Sequence, residues 1–173
     1  GKTPVTGFLA GELLTRGFRV AVLMGGYRGS VRHNPEVVPT QARADTVAVR
    51  RFGDEALLMA SWAPGALVIA GKDRLAAANL AQERGANLIL VNDGYTHRRL
   101  ARDLDLVLRD PSLDRAPRPE RDAALTWTHG RDGSPPTAVP PDQIASRLLP
   151  TRLLTMDGAD LGPAEDLAGK KVY

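Results

Sequence analysis

The residues with the clearest chemical potential stand at the start of the chain, which begins Gly1-Lys2-Thr3-Pro4. The first three match the end of the phosphate-binding pattern GxxxxGKS/T, in which backbone amides surround phosphate oxygens. In that pattern the lysine contacts the β- and γ-phosphates, and the hydroxyl contacts Mg²⁺. Pro4 suits the first turn of a helix, whose N-terminus then faces the anion. We predict that these four residues bind a nucleotide and that Thr3 also holds the metal.

A second group follows Leu88–Val91, a run of four apolar residues that is typical of a buried strand. Asn92-Asp93-Gly94 comes directly after this run, and ligands bind to parallel sheets at the carboxyl ends of the strands. An acidic residue there is a usual second contact to Mg²⁺. Asp93 is therefore predicted to hold the metal and to take part in catalysis. The alternative is a simple turn, for which Asn-Asp-Gly is a common sequence.

Two further candidates are less specific. Asp54 and Glu55 begin a predicted helix, where adjacent carboxylates can serve only as a cap and a partner of the helix dipole. In the functional interpretation, Asp54 is the base for an attacking hydroxyl and Glu55 binds Mg²⁺ through water. His97, a catalytic candidate, lies four residues past Asp93 and precedes a cluster of arginines that either meets phosphate or only solvates a helix face: Arg98, Arg99 and Arg102.

Alternating helices and strands must position these residues. The hydrophobic pattern predicts helices at about 4–16, 54–60, 73–84 and 97–102 and strands at about 18–24, 47–49, 66–70, 88–91 and 104–108. The first helix is predicted to bury an apolar stripe of Val5, Phe8, Leu9 and Leu13, with Leu14 as a further candidate. This alternation indicates a parallel sheet with helical crossovers, an α/β fold. Because the first helix has no strand before it and the last residues read as the start of a strand, we expect a chain truncated at both ends.

The composition changes after residue 110. Residues 111–145 are rich in Pro, Arg and Asp, which predicts a long loop or an insertion. A strand is predicted at Arg152–Met156, so that 146–173 returns to the fold and starts its next element. Three regions are therefore expected: a nucleotide-binding α/β core at 1–110, the loop or insertion, and the returning segment.

The overall composition excludes several classes of protein. The chain has 173 residues, 43% apolar and 25% charged, as in ordinary globular domains. Cysteine is absent, so these residues hold no disulfide and no thiolate metal site. A net charge of +3, supplied mostly by arginine, suits a nucleotide or a phospholipid surface, or reflects solubility alone. We do not expect nucleic acid as a partner, because aromatic residues are only 5% and no basic run is interleaved with them.

Taken in order, several stretches resemble one family, the tetraacyldisaccharide 4′-kinases of lipid A synthesis. The matching stretches are GKTPVTGFLAGELLTRGFRVAVL from Gly1, GGY from Gly25, GDEALLMA from Gly53, GKDRLAAANLA from Gly71, and NDGYTHRRLARDLDLVL from Asn92. The resemblance covers residues 1–110 well and the last few residues weakly. Only the ordered combination is specific, because each stretch alone is too short to identify a family.

The resemblance implies a P-loop NTPase-like three-layer fold with a mostly parallel sheet, incomplete in this chain. It implies a kinase that uses ATP and Mg²⁺ to phosphorylate the 4′-hydroxyl of an acylated glucosamine disaccharide 1-phosphate, giving lipid IVA. Such enzymes work at the cytoplasmic face of the bacterial inner membrane, and the family's hydrophobic anchor would precede Gly1. Lys2 and Thr3 match its phosphate-loop residues, Asp54 its hydroxyl-activating acid, and Asp93 and His97 its DDGxQH stretch.

Departures from the family's pattern leave other functions open. Asn92 stands where the family has an aspartate, Thr96 where it has glutamine, and Met24-Gly25 where it has Ser-Arg. One alternative is a divergent, non-catalytic nucleotide-binding module, and another is a P-loop ATPase or GTPase of a different kind. We expect residues 1–173 alone to be inactive, because most of the phosphate loop and the second half of the expected fold lie outside them.

Overall fold

The computed structural model describes residues 2–31, 33–40, 45–109, 125–130, 143–147, 152–154 and 160–163. Its contacts divide the chain into two compact units, Gly1–Asp103 and Leu104–Tyr173. The first unit ends a few residues before the boundary at 110 that the sequence predicts.

Helices and strands alternate through the first unit. In chain order they are α1 (Lys2–Thr15), β1 (Val20–Met24), β2 (Glu36–Val37), α2 (Thr46–Phe52), α3 (Asp54–Trp62), β3 (Leu67–Ala70), α4 (Arg74–Glu83) and β4 (Leu88–Val91). The strand order is β2-β3-β1-β4, with β1 parallel to both β3 and β4 and β2 antiparallel to β3. The predicted α/β fold with a mostly parallel sheet is confirmed, and β2 is a strand that the sequence did not predict.

Alternating residues of β1 build an apolar core on both faces of the sheet. Val22 and Met24 pack into a cluster with residues of α1, α2 and α3. Leu23 lies on the opposite face, with Ala77 and Ala81 of α4. All five residues of β1 are buried, as expected of a central strand covered by helices on both sides. The unit therefore has three layers, helices–sheet–helix.

The packing face of α1 differs from the predicted apolar stripe. Val5 is buried as expected, but Phe8 is 58% exposed. Gly7 and Ala10 are buried instead, and a Cβ on Gly7 would lie 3.2 Å from Cε3 of Trp62 in α3. The prediction is wrong for Phe8 because small residues, and not the largest ones, form the surface that α3 approaches. At 14 residues α1 is not a membrane span, and no other helix in the described ranges is long and apolar enough to be one.

The short apolar run at 47–49 is part of α2 and not a strand, so this prediction is wrong. The side chain of Asp45 caps the helix by accepting a hydrogen bond of 2.8 Å from the amide of Ala48. At the other end the amide of Gly53 donates to the Val49 carbonyl at 2.9 Å. These contacts at the two ends of the segment stabilise a helix. The β-branched residues of the run favour a strand, but only weakly.

The helix predicted at 73–84 is confirmed, whereas the one at 97–102 is not. Asp73 accepts hydrogen bonds from the amides of Leu75 and Ala76 at 3.1 and 3.0 Å, which starts α4. After β4 the chain forms successive turns, with the His97 amide donating to the Gly94 carbonyl at 2.9 Å. The backbone hydrogen bonds there span two or three residues and not the four of an α-helix.

The described strands of the second unit fall partly where the sequence predicts a loop. β5 (Leu106–Arg109), β6 (Leu125–Gly130) and β7 (Gln143–Arg147) form a parallel sheet in the order β5-β6-β7. β8 (Arg152–Leu154) pairs antiparallel with β9 (Asp160–Pro163). At the described residues of 111–145 the structure has strands, so the predicted loop is wrong there. The predicted strand at 152 forms, but in its own two-stranded sheet.

The close approach at Gly53 predicts a large difference between two Gly→Ala substitutions. Gly53 has φ +84°, and an added Cβ would lie 2.5 Å from the carbonyl oxygen of Tyr27. We expect Gly53→Ala to lower the free energy of unfolding by about 1–3 kcal/mol. Gly11→Ala is the control, because no atom lies within 4 Å of its added Cβ and alanine stabilises a helix interior by about 0.5–1 kcal/mol. Urea titration measures both, and equal stability of the two variants would contradict this interpretation of the Gly53 turn.

Candidate functional site

The site lies at the edge of the sheet where the parallel strands β1, β3 and β4 end, which we call the carboxyl edge. β1 pairs with β4 so that Leu23 is opposite Val91, and the residues after both strands are therefore neighbours. Helix α1 runs away from the carboxyl edge and β1 returns toward it, so the start of α1 lies at this edge. This topology brings Lys2 to Asp93 across 91 positions of sequence.

The direct contact is an ion pair between Lys2 Nζ and Asp93 Oδ1, at 2.6 Å. Both side chains are mostly exposed, 57% for Lys2 and 69% for Asp93. An exposed pair of this kind stabilises a protein by only about 0.2–1 kcal/mol. Its two charges are therefore available to other partners at small energetic cost, as a binding site for a charged ligand requires.

Asn92, the residue before Asp93, places its side chain near the hydroxyl of Thr3. Its side-chain Nδ2 lies 3.4 Å from Oγ1 of Thr3 and 3.5 Å from the sulfur of Met24. The residue is only 6% exposed, and its buried Oδ1 has no hydrogen-bond partner. A half-turn of the amide would let Oδ1 accept the Thr3 hydroxyl proton instead. An amide with two long donor contacts and one unpaired oxygen is thus part of the site and is not fully satisfied by the protein.

The turn that carries Asp93 has an uncommon backbone. Asp93 has φ +56°, in the left-handed region that few residues other than glycine adopt. Next to it, a Cβ on Gly94 would lie 2.7 Å from Cγ1 of Val91, so only glycine fits there. The Asn-Asp-Gly sequence therefore forms the turn that its composition indicates, and the same turn aims a carboxylate at Lys2. The turn interpretation of this sequence is therefore confirmed, and the metal-binding role of Asp93 stays a prediction.

Arg74 is a site residue that sequence reasoning missed. It is 5% exposed, and its guanidinium donates to the carbonyl oxygens of Gly71 at 3.2 Å and Asn92 at 3.1 Å. Burial lowers the pKa of Arg74, and the nearby carboxylate of Asp93 opposes that shift. The sequence predicts only that a helix begins at about residue 73, and no local pattern distinguishes a buried arginine from an exposed one.

The other predicted residues stand apart from this group. Asp54 and Glu55 are exposed at the start of α3, where Asp54 Oδ1 accepts a hydrogen bond of 2.9 Å from the Glu55 amide. In the described part of the chain no hydrogen bond or ion pair joins them to Lys2 or Asp93. His97 is half-buried and joins the turn through its backbone, since its carbonyl accepts from Arg102 Nη1 at 3.1 Å. Pro4 lies in the first turn of α1 as predicted, and Gly1 is outside the described residues.

The side chains at the carboxyl edge fit Mg²⁺ only if phosphate and water supply the rest of its ligands. Mg²⁺ takes oxygen ligands, commonly one or two carboxylates completed by substrate phosphates and water. The Asp93 carboxylate and the Thr3 hydroxyl meet this description, and the unpaired oxygen of Asn92 lies beside them. No group of three or more carboxylate or histidine side chains able to hold a metal occurs in the ranges the structure describes. The residues therefore fit a metal held largely by phosphate oxygens and not by a closed protein cage.

Comparison with known proteins gives consistent matches. The family model for tetraacyldisaccharide-1-P 4′-kinase matches residues 1–116. Among curated relatives, the tetraacyldisaccharide 4′-kinase of Pelobacter propionicus is 45% identical over 65% of this chain and 31% of its own length. The same-named protein of Anaeromyxobacter sp. strain K is 37% identical over 99% of this chain and 52% of its own length.

A solved structure has a fold similar to that of this chain. The crystal structure of the "apo" form of LpxK from Aquifex aeolicus in complex with ATP matches with a TM-score of 0.71 at 24% identity. The match covers 99% of this chain and 57% of that one. This chain thus spans about a third to somewhat more than half the length of the proteins that it resembles.

Asn92→Asp tests whether the buried amide belongs to a metal site. The new carboxylate would be buried beside Asp93, so without Mg²⁺ we expect the free energy of unfolding to fall by about 1–3 kcal/mol. Millimolar Mg²⁺ should restore part of that loss, because a carboxylate is the better ligand. The control is Asn79→Asp, the same change at an exposed position of α4, which we expect to stay within about 0.5 kcal/mol of the parent. Urea titrations with and without Mg²⁺ measure both; a loss at Asn92 that Mg²⁺ leaves unchanged would contradict the assignment.

Proposed function

Since the chain belongs to the tetraacyldisaccharide-1-P 4′-kinase family, we propose that this protein transfers the γ-phosphate of ATP to the 4′-hydroxyl of a tetraacylated glucosamine disaccharide 1-phosphate. The product is lipid IVA, an intermediate of lipid A synthesis. The observation that carries the proposal is the contact of Lys2 with Asp93, with Thr3 and Asn92 beside them at the carboxyl edge. The names of the curated relatives and the ATP bound in the Aquifex aeolicus structure support it.

The ion pair is proposed to exchange partners when the nucleotide binds. Lys2 leaves Asp93 and donates to phosphate oxygens, where an ammonium–phosphate contact is stronger than the exposed pair that it replaces. The freed Asp93 carboxylate and the Thr3 hydroxyl would hold Mg²⁺, with Glu55 contributing through water. Bound there, Mg²⁺ would neutralise negative charge on the phosphates.

Asp54 is proposed to take the proton of the attacking hydroxyl. The 4′-oxygen forms a bond to the γ-phosphorus while the bond between that phosphorus and the β–γ bridging oxygen breaks, which leaves ADP. The hydroxyl proton passes to the Asp54 carboxylate, which is exposed at the start of α3 and, among the described residues, accepts a hydrogen bond from the amide of Glu55. His97 is retained as a catalytic candidate on the turn that follows Asp93.

The setting of the reaction follows from the chemistry of its substrate. A disaccharide with four acyl chains resides in a membrane, so the protein must work at a lipid surface. We propose the cytoplasmic face of the bacterial inner membrane, where ATP is available. The chain's net charge of +3 is compatible with an anionic surface of this kind.

A second candidate function rests on Asn92. A neutral amide stands where the family has a carboxylate, so the site holds one negative charge fewer for Mg²⁺. A nucleotide-binding module without transferase activity would show this feature. Transfer of radiolabelled phosphate from ATP to the lipid disaccharide by the complete gene product separates the two, because binding without transfer favours the module.

Lys2→Met tests the partner exchange. Because the ion pair is exposed, we expect the free energy of unfolding to fall by less than about 1 kcal/mol. Nucleotide affinity and lipid phosphorylation should both fall by at least about 100-fold, since the loss of a charge-assisted phosphate contact is worth several kcal/mol. The control is Arg84→Met, which removes an exposed cation at the far end of α4, with no change expected in either. Normal nucleotide affinity in Lys2→Met would contradict the proposed role.

Asp54→Asn separates the proposed base from the binding residues. The amide keeps the side-chain shape but cannot take a proton, so kcat for lipid phosphorylation should fall by about 10²–10⁴-fold. The affinity for MgATP should stay within about twofold, because no described contact links Asp54 to Lys2 or Asp93. Glu83→Gln, an exposed substitution near the end of α4, is the control. Equal kcat in Asp54→Asn and the parent enzyme would remove Asp54 from the mechanism.

A further inference from the structure

Arg74 is a buried cation that joins the ends of the parallel strands. It is the first residue of α4 and is 5% exposed. One guanidinium nitrogen, Nη1, donates to the Gly71 carbonyl just after β3, and the other, Nη2, donates to the Asn92 carbonyl just after β4. Because β1 lies between β3 and β4, the side chain crosses the end of β1.

The end of β1 is shaped to admit this side chain. A Cβ on Gly25, the residue after β1, would lie 3.2 Å from Nη2 of Arg74, which is closer than most real Cβ contacts. The guanidinium therefore occupies space that a side chain at position 25 would otherwise fill. It meets all three parallel strands at the carboxyl edge, directly beneath the turn that carries Asp93.

The arrangement is a costly way to obtain stability alone. Burial of a charged group carries a large desolvation penalty, and apolar residues of similar size often stabilise such positions as well or better. Among the described residues no carboxylate is bonded to the guanidinium, and its buried Nε has no hydrogen-bond partner. The carboxylate whose charge acts on this guanidinium is that of Asp93, in the site itself.

We propose that Arg74 is a positioning residue, whose guanidinium holds the Asn92 carbonyl and so fixes the left-handed turn that aims the Asp93 carboxylate. The inference rests on the proposed function for what Asp93 does once it is aimed. A fixed carbonyl at Asn92 sets the peptide plane that leads into Asp93, a residue whose φ of +56° needs outside support. Without that support the turn would relax and its carboxylate would have no fixed direction.

The first test uses nucleotide-free protein and does not depend on the kinase proposal. Arg74→Lys keeps the charge but cannot reach two carbonyls with a planar fork. Hydrogen exchange should then rise at least about tenfold at the amides of Asn92 and His97, which are bonded to Leu23 and Gly94, and stay unchanged in α1 and α3. Gly25→Ala, which presses on the same guanidinium, should act in the same direction with a smaller effect. Arg84→Lys, exposed at the other end of α4, is the control.

The second test measures ADP affinity by calorimetry with and without Mg²⁺. In Arg74→Lys we expect ADP alone to bind within twofold of the parent, because Lys2 is intact, while the affinity gained from Mg²⁺ falls by about 10- to 100-fold. A purely structural role would lower both affinities together, or neither. Unchanged exchange at Asn92 and His97, or an unchanged gain from Mg²⁺, would overturn the inference. Failure of the parent protein to bind MgADP would instead count against the proposed function and leave the exchange result standing.

Discussion

The parallel pairing of β1 with β4 is the constraint on which the site depends. It places Leu23 beside Val91, so the first residues after both strands emerge side by side. With α1 running antiparallel into β1, the amino end of that helix reaches the same edge, and Lys2 meets Asp93 at 2.6 Å. A slip of one residue in this pairing would turn Val22 and Leu23 to the wrong faces of a core that is packed on both sides. The core therefore fixes the strand ends from which the charged residues emerge.

The charged side chains of the site, two cations and one anion, leave a net positive charge when no nucleotide is bound. Lys2 neutralises Asp93 at the surface, and the buried Arg74 lies below the same turn. A polyphosphate adds several negative charges at this point, which Mg²⁺ and the released Lys2 would offset. Asn92 contributes hydrogen-bonding groups and no charge, so the site keeps the positive charge that a second carboxylate would cancel. In this arrangement the exposed ion pair holds the two functional side chains together at a low energetic cost.

The sequence predicted most of the first unit because its signals there are local and mutually consistent. Asp73 and Gly85 delimit α4, and apolar runs mark β1, β3 and β4. The run at 47–49 was misassigned because the deciding contact, from Asp45 to the Ala48 amide, is made by a single cap. Phe8 was misassigned because the burial of α1 is decided by how closely α3 approaches Gly7. β2 is two residues long, too short to give a pattern of its own.

The sequence predicted the motifs of the site, but it did not predict the contacts that join their residues. Lys2, Thr3 and Asp93 carry recognisable chemistry, and strand order brings them together. Arg74 could not be found this way, because its role depends on burial between two carbonyls that lie 21 positions apart, at Gly71 and Asn92. The strands at 125–130 and 143–147 were likewise missed, because proline- and arginine-rich neighbours hide short strands whose partners are distant in sequence.

The central claim is that nucleotide binding separates Lys2 from Asp93. Lys2 then contacts phosphate, and Asp93 is free to contact the metal of a kinase site. A crystal structure of the complete gene product with Mg²⁺ and a non-hydrolysable ATP analogue tests this claim most directly. The account predicts Lys2 Nζ at about 2.7–2.9 Å from a phosphate oxygen, with Asp93 turned to the metal. A complex in which the nucleotide is bound and Lys2 still lies 2.6 Å from Asp93 would contradict it.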